Sequence, residues 1–186
     1  FEEIEILQRQ DDWDRAGALL GQAARQVEAA GADFLLICTN TMHKVAPQVQ
    51  AAIDIPLLHI ADATADRIKA EGIETIGLLG TNFTMEEDFY AGRLESRHGL
   101  RLLIPPPQQR EIVHRVIFEE LVLGEINSES RQKFLDIIDG LRARGAEGVI
   151  EGCTEIVMLV QQEHTDVPLF DTTAIHARAA VERALA

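Results

Sequence analysis

Two thiols stand at matching places in this sequence. Gly31-Ala32-Asp33-Phe34-Leu35-Leu36-Ile37-Cys38-Thr39-Asn40 and Gly145-Ala146-Glu147-Gly148-Val149-Ile150-Glu151-Gly152-Cys153-Thr154-Glu155 share one plan: a Gly-Ala turn, a short apolar run, then Cys-Thr where a buried strand would end. A second echo follows each, Ile55-Pro56-Leu57-Leu58-His59 and Val167-Pro168-Leu169-Phe170-Asp171. A lone cysteine among apolar neighbours is most simply a small buried hydrophobe. These are the chain's only two cysteines, they are related by an internal repeat, and each is followed by Thr. That pattern points to chemistry needing the same group on both faces of one substrate. One thiolate removes a proton from one face of a carbon centre, and a thiol returns one to the other. The ordinary thiol pKa of about 8.5 falls beside helix N-termini or hydrogen-bond donors, so a thiolate is accessible near neutrality.

The neighbours of the thiols fit an anionic ligand. Thr39, Asn40 and Thr41 after Cys38, and Thr154 after Cys153, are expected at helix starts, where backbone N–H groups favour a carboxylate. The threonine hydroxyls would serve equally as helix caps. Thr81 adds a hydroxyl at another strand end, and Glu155 and Asp62 are carboxylates placed to hold an ammonium or tune a thiol. His43 and His176 fall near strand ends and remain candidates, whereas His59 and His114 read as structural side chains. Lys44, Lys69 and Lys133 are the only lysines and none ends a strand as the cysteines do, so a lysine-bound pyridoxal phosphate is not expected. Without such an electron sink the site must rely on preorganised donors and close bases. There is no CxxC or Cys/His cluster, so no metal is expected either.

The elements that must position these groups alternate between helix and strand. Asp11 or Asp12 starts a helix with Trp13, Ala16, Leu19 or Leu20, Ala23, Val27 and Ala30 on its apolar face, stopped by Gly31. Residues 34–37 form a continuous apolar run of the kind seen in doubly covered parallel strands. A short helix over 44–52, a strand over 57–60 and a helix over 64–70 follow. Then come a strand over 75–79, a helix over 84–97 opened by a capping box at Thr84-Met85-Glu86-Glu87, and a strand over 100–104. Pro105-Pro106-Pro107 makes a stiff turn. A helical stripe through Ile112, Val116 and Leu121 ends at Gly124, and a helix from Asn127 or Ser128 ends at Gly145. Strands over 148–151 and 167–170, with a helix between them, and a last helix from Thr172 complete the chain. The pattern predicts an α/β fold of two pseudo-symmetric lobes, each a mostly parallel sheet flanked by helices. The site then lies in the cleft between lobes, at the carboxyl ends of strands. Residues 1–62 plus 172–186 are assigned to the first lobe and 63–171 to the second.

Bulk properties are those of an ordinary soluble domain. The 186 residues are 46% hydrophobic and 26% charged, enough for a real core. A net charge of −14 disfavours a nucleic-acid partner, and no apolar run approaches the roughly 20 residues of a membrane span. Two cysteines without an export signal fit reduced thiols in a cytoplasm. The chain opens at Phe1 without Met, in an apolar alternation of Phe1, Ile4, Ile6 and Leu7 that reads as the middle of a fold.

Together, Cys38-Thr39-Asn40-Thr41-Met42-His43-Lys44, Leu58-His59-Ile60-Ala61-Asp62-Ala63-Thr64, Gly77-Leu78-Leu79-Gly80-Thr81, Gly152-Cys153-Thr154-Glu155 and Phe170-Asp171-Thr172 resemble the aspartate/glutamate racemase family, in its aspartate racemase-like, broad amino-acid branch. The resemblance implies an isomerase without pyridoxal phosphate or metal, making a 1,1-proton transfer on a small amino-acid substrate, usually as a homodimer. Carried over by motif, Cys38 and Cys153 are the acid/base pair. Asn40, Thr41 and Thr154 hold the α-carboxylate, with Thr39, Thr81 and Glu155 close by. Family members open with a strand, a Gly-rich loop containing Met-Ser, and a helix. That unit is not among these residues, so the first lobe is expected to be incomplete and the activity to belong foremost to the longer protein. Related isomerases acting on maleate or hydantoins, and a non-catalytic small-molecule binder on the same scaffold, are the other readings.

Overall fold

The computed structural model describes residues 2–186, so Phe1 lies outside the described residues. The rest of the opening stretch is helical. In α1 (Glu2–Arg9), Ile4 and Leu7, three residues apart, turn inward together, while Ile6 faces solvent. Three acidic residues in the first turn favour this helix over the alternation.

Each copy of the repeat folds as a helix, a strand, a short helical connection, a second strand and a closing helix. In the first copy these are α2 (Trp13–Ala29), β1 (Leu35–Leu36), α3 (Ala46–Ala51) behind a 3-10 turn over Thr41–Val45, β2 (Leu57–Leu58) and α4 (Ile60–Ala70). The second copy has α8 (Ser128–Ala143), β5 (Val149–Gly152), α9 (Ile156–Leu159), β6 (Leu169–Asp171) and α10 (Thr172–Leu185). Asp12 caps α2 and Asn127 caps α8. The first strands then follow Gly31 and Gly145, both in the left-handed region at φ 92° and 102°. Strand pairing repeats as well. Leu35 pairs with Leu57 and Leu36 with Leu58, as Val149 pairs with Leu169 and Ile150 with Phe170, all parallel. The closing helices α4 and α10 pack on one another, so the pseudo-twofold relation runs between them.

Between the copies lie β3 (Thr75–Gly80), α5 (Asn82–Glu86), α6 (Ala91–His98), β4 (Arg101–Leu103) and α7 (Pro107–Glu119). Strands β4-β3-β5-β6 form one parallel sheet, and β1-β2 a second. β3 and β5 are buried along nearly their whole length, as expected of strands covered on both faces. Two apolar cores result. One joins Leu7, Ala16, Leu35, Ile37, Met42, Val45 and Val49; the other gathers around Leu78, Leu79, Val149 and Ile150, and takes in Ile60, Ala65 and Ile68 of α4.

Three expected elements differ. The helix over 84–97 is two helices. Thr81 rather than Thr84 caps the first, and Glu87 is extended at φ −99°, ψ 149°, where it meets Lys44 at 2.6 Å. The helix over 44–52 begins as the 3-10 turn, and α4 starts four residues early because the His59 ring accepts the Ala61 N–H at 3.2 Å. Pro107 is the first residue of α7, where its missing N–H costs nothing.

β3 and β5 approach closely. A Cβ on Gly152 would lie 2.7 Å from the Leu79 carbonyl oxygen and 3.0 Å from Leu78 Cδ1. Gly152→Ala is therefore expected to destabilise the chain by about 1–3 kcal/mol, read as a lower urea midpoint. An unchanged midpoint would show that the strands separate freely here.

Candidate active site

The segment after Cys38 is stitched to the large sheet by two bridges. In the first, Asn40 Nδ2 donates to Thr172 Oγ1 at 3.0 Å, and that hydroxyl donates to the Glu151 carbonyl at 2.9 Å. The Thr172 hydroxyl has one proton and gives it to Glu151, so whatever meets its oxygen must donate. This fixes the orientation of the Asn40 amide. Asn40 Oδ1 is consequently a buried acceptor without a partner. In the second bridge, the Thr41 hydroxyl lies 3.1 Å from that of Thr81 and 3.4 Å from that of Thr84, which are themselves 3.2 Å apart. Thr81 ends β3, Thr172 follows β6 and Glu151 lies in β5. The Cys38 loop is thereby held at the carboxyl end of the four-stranded sheet, where β5 also delivers Cys153.

The two thiols differ in setting. Cys38 is exposed, and Thr39 beside it is half-buried. Cys153 is partly buried, and its Sγ–H donates to Glu155 Oε2 at 2.8 Å, an oxygen that also accepts the Thr154 hydroxyl at 2.9 Å. Burial, and then the Glu155 carboxylate, push the Cys153 pKa well above the ordinary thiol value, so this sulfur carries its proton at rest. The helix expected after Cys38 is only the 3-10 turn, with Asn40 before it and no side-chain cap. Anion stabilisation by a helix dipole is correspondingly small there.

Asp62, a candidate from sequence, is committed elsewhere. Arg93 grips both its oxygens at 2.6 Å, and His98 Nε2 lies 2.9 Å from Oδ1, the oxygen that also accepts from Arg93 Nε. Burial alone would raise its pKa, but these hydrogen bonds outweigh it and hold the carboxyl well below the usual range. His114 accepts the Asn82 N–H at 3.2 Å, outside this junction. Sequence reasoning passed over Glu151, Thr84 and Arg93. Glu151 alone carried a visible signal, as a carboxylate inside an otherwise apolar strand, whereas Thr41 lies 43 residues from Thr84 and Asp62 lies 31 from Arg93. Among the described residues no group of three or more His, Cys, Asp or Glu is arranged to hold a metal, and no helix is long and apolar enough to cross a membrane.

The family profile described as Asp/Glu/Hydantoin racemase matches residues 4–180. The chain belongs to that family. Among solved structures of this racemase family, one from Yersinia pestis classed with the Asp/Glu racemases is 53% identical, with a TM-score of 0.93 over 100% of this chain and 81% of that one. An aspartate racemase homologue from Pyrococcus horikoshii OT3 is 34% identical, with a TM-score of 0.85 over 98% of this chain and 80% of the other. The broad specificity amino-acid racemase RacX of Bacillus subtilis is 22% identical over 182 residues, 94% of this chain and 75% of its own length. The racemase fold is thus an α/β fold with parallel sheets in two similar halves, as the repeat implied.

Proposed function

We propose that this racemase-family chain inverts the α-carbon of amino acids without a cofactor, by moving a proton between Cys38 and Cys153. The observation that supports this reading is that Cys153 follows β5 while Asn40 and Thr41 tie the loop after Cys38 to the carboxyl end of the same sheet. One is open to ligand, and the other is a thiol held by Glu155. The Cys38 thiolate takes the α-proton from one enantiomer, and the Cys153 thiol protonates the opposite face. The reverse reaction exchanges these roles. Thr39, Thr41, Thr81 and Thr154 supply hydroxyls around the substrate carboxylate. Asn40 binds through its free Oδ1, an acceptor matched to the substrate ammonium. The name of the Bacillus relative, a broad specificity amino-acid racemase, favours a broad range of amino acids.

The test is incubation with single L- or D-amino acids in D₂O. Product should carry deuterium at the α-carbon while recovered substrate stays protiated early in the reaction, because the proton enters on the face opposite to where it left. Deuterium appearing equally in recovered substrate would overturn two-base transfer.

Glu155 sets when Cys153 can act as an acid. Removing its charge in Glu155→Gln lowers the Cys153 pKa, so that thiol loses its proton at lower pH. The alkaline limb of the pH–kcat profile, in the direction that uses Cys153 as acid, should move to lower pH. A limb that stays in place would remove Glu155 from this role.

A further inference from the structure

Behind the Cys38 loop, His43 is buried and both ring nitrogens are used. Nδ1 lies 2.7 Å from the Thr39 carbonyl oxygen, which only accepts, and Nε2 lies 3.2 Å from the Ile60 N–H, which only donates. These partners dictate a neutral imidazole with its proton on Nδ1. The ring thus ties the carbonyl of the residue next to Cys38 to the first turn of α4. Other groups hold it in place. The His59 ring centroid is 4.3 Å away, and the His176 centroid, on α10, is 6.1 Å away; His176 Nε2 donates to the Leu58 carbonyl at 2.8 Å. Arg93 of α6, paired with Asp62 of α4, completes the charged surroundings, and a cavity of about 400 Å³ lined by His43, Lys44, His59, Arg93 and Arg97 opens beside them.

We propose that His43 is a positioning residue for the reaction, holding the Cys38 thiol in register with the substrate through its Nδ1–H bond to Thr39. This rests on Cys38 being one of the two bases. The geometry supports it because the loop has few other restraints near the sulfur. Cys38 itself is exposed, and its neighbour Asn40 is anchored two residues further on. Without the Thr39 bond the stretch between β1 and Asn40 is free to shift. Misplacing a reacting group by about 1 Å can cost on the order of 10²-fold. The surroundings keep the ring neutral: burial, with smaller opposition from the Thr39 bond, lowers its pKa to about 4.

Two isosteres separate the two bonds. In His43→Asn the amide N–H sits where Nδ1–H was and keeps the Thr39 bond; in His43→Gln the terminal amide reaches the Nε2 position and keeps the Ile60 bond. The proposal expects His43→Asn to retain kcat within a few-fold. It expects His43→Gln to lose roughly tenfold to 10²-fold in kcat with KM little changed, together with an altered rate of Cys38 alkylation by iodoacetamide. Equal losses in both variants, or none in either, overturn it. If neither variant folds, ¹⁵N NMR of the unmodified protein decides, since an Nε2–H tautomer for His43 overturns the proposal and an Nδ1–H tautomer sustains it. Cys38→Ser is run beside them. Full activity in that variant defeats the two-thiol reading, while alkylation and tautomer still report on His43 independently.

Discussion

Serine in place of Cys38 or of Cys153 is expected to lower kcat for racemisation by roughly 10²–10⁴-fold, the usual contribution of a positioned acid or base. Serine preserves the shape of cysteine but binds its proton far more tightly, so it neither takes the α-proton nor is readily regenerated. The two variants should be equally inactive in racemisation, because inversion needs both faces served. They should differ in exchange. Each retains one thiol and should still wash deuterium into the enantiomer that this thiol deprotonates, without inverting it. Measuring α-deuteration and optical rotation together separates the outcomes. Wild-type racemisation in either variant would end the proposed mechanism. Folding is a small concern at Cys38, which is exposed, and a larger one at Cys153, which packs against the large core; a matched urea midpoint controls for this.

Glutamine in place of Glu151 is expected to stabilise the chain increasingly as pH rises. Glu151 is buried, its Oε1 has no partner, and it sits in register with Asp171 on the adjacent strand. Burial and then the Asp171 charge raise its pKa from 4.5 to about 8. Asp171 accepts the Thr173 and Ala174 N–H groups that open α10. Between these two values the unfolded chain has released this proton and the folded chain still holds it. Stability is therefore full below about pH 4.5 and is lost as pH climbs toward 8. Glutamine is neutral throughout and escapes the loss. The difference in unfolding free energy between Glu151→Gln and its parent should grow with a slope approaching roughly 1.4 kcal/mol per pH unit. Urea midpoints at acidic, neutral and alkaline pH measure it. Parallel curves for the two proteins would mean that Glu151 ionises freely.

Much of this architecture was legible in the residues. The Gly-Ala turns at Gly31 and Gly145, the apolar runs after them and the Pro-led second strands announced two copies of one unit, and the strand registers repeat residue for residue. Legibility failed where a side chain found a distant partner. Thr84 looked like a cap but joins Thr41 and Thr81 instead, and the helix it was expected to open breaks where Glu87 meets Lys44. At the site, the thiols and their Cys-Thr context stand out because local sequence carries them. The ties that orient them do not: Asn40 and Thr172 are 132 residues apart, and His43 and Ile60 are joined across two connections. Chain separation of that kind leaves no periodic trace.

The unequal setting of the two thiols has a kinetic consequence. Mirror-image amino acids have the same free energy in water, so their interconversion has an equilibrium constant of unity whatever the enzyme looks like. The ratio kcat/KM must then be the same for both enantiomers. An exposed sulfur on one side and a buried, carboxylate-held thiol on the other cannot be energetically identical, so kcat and KM should each differ between L and D substrates by one shared factor. The protein is bound to be even-handed in efficiency while remaining lopsided in how tightly, and how quickly, it handles each hand.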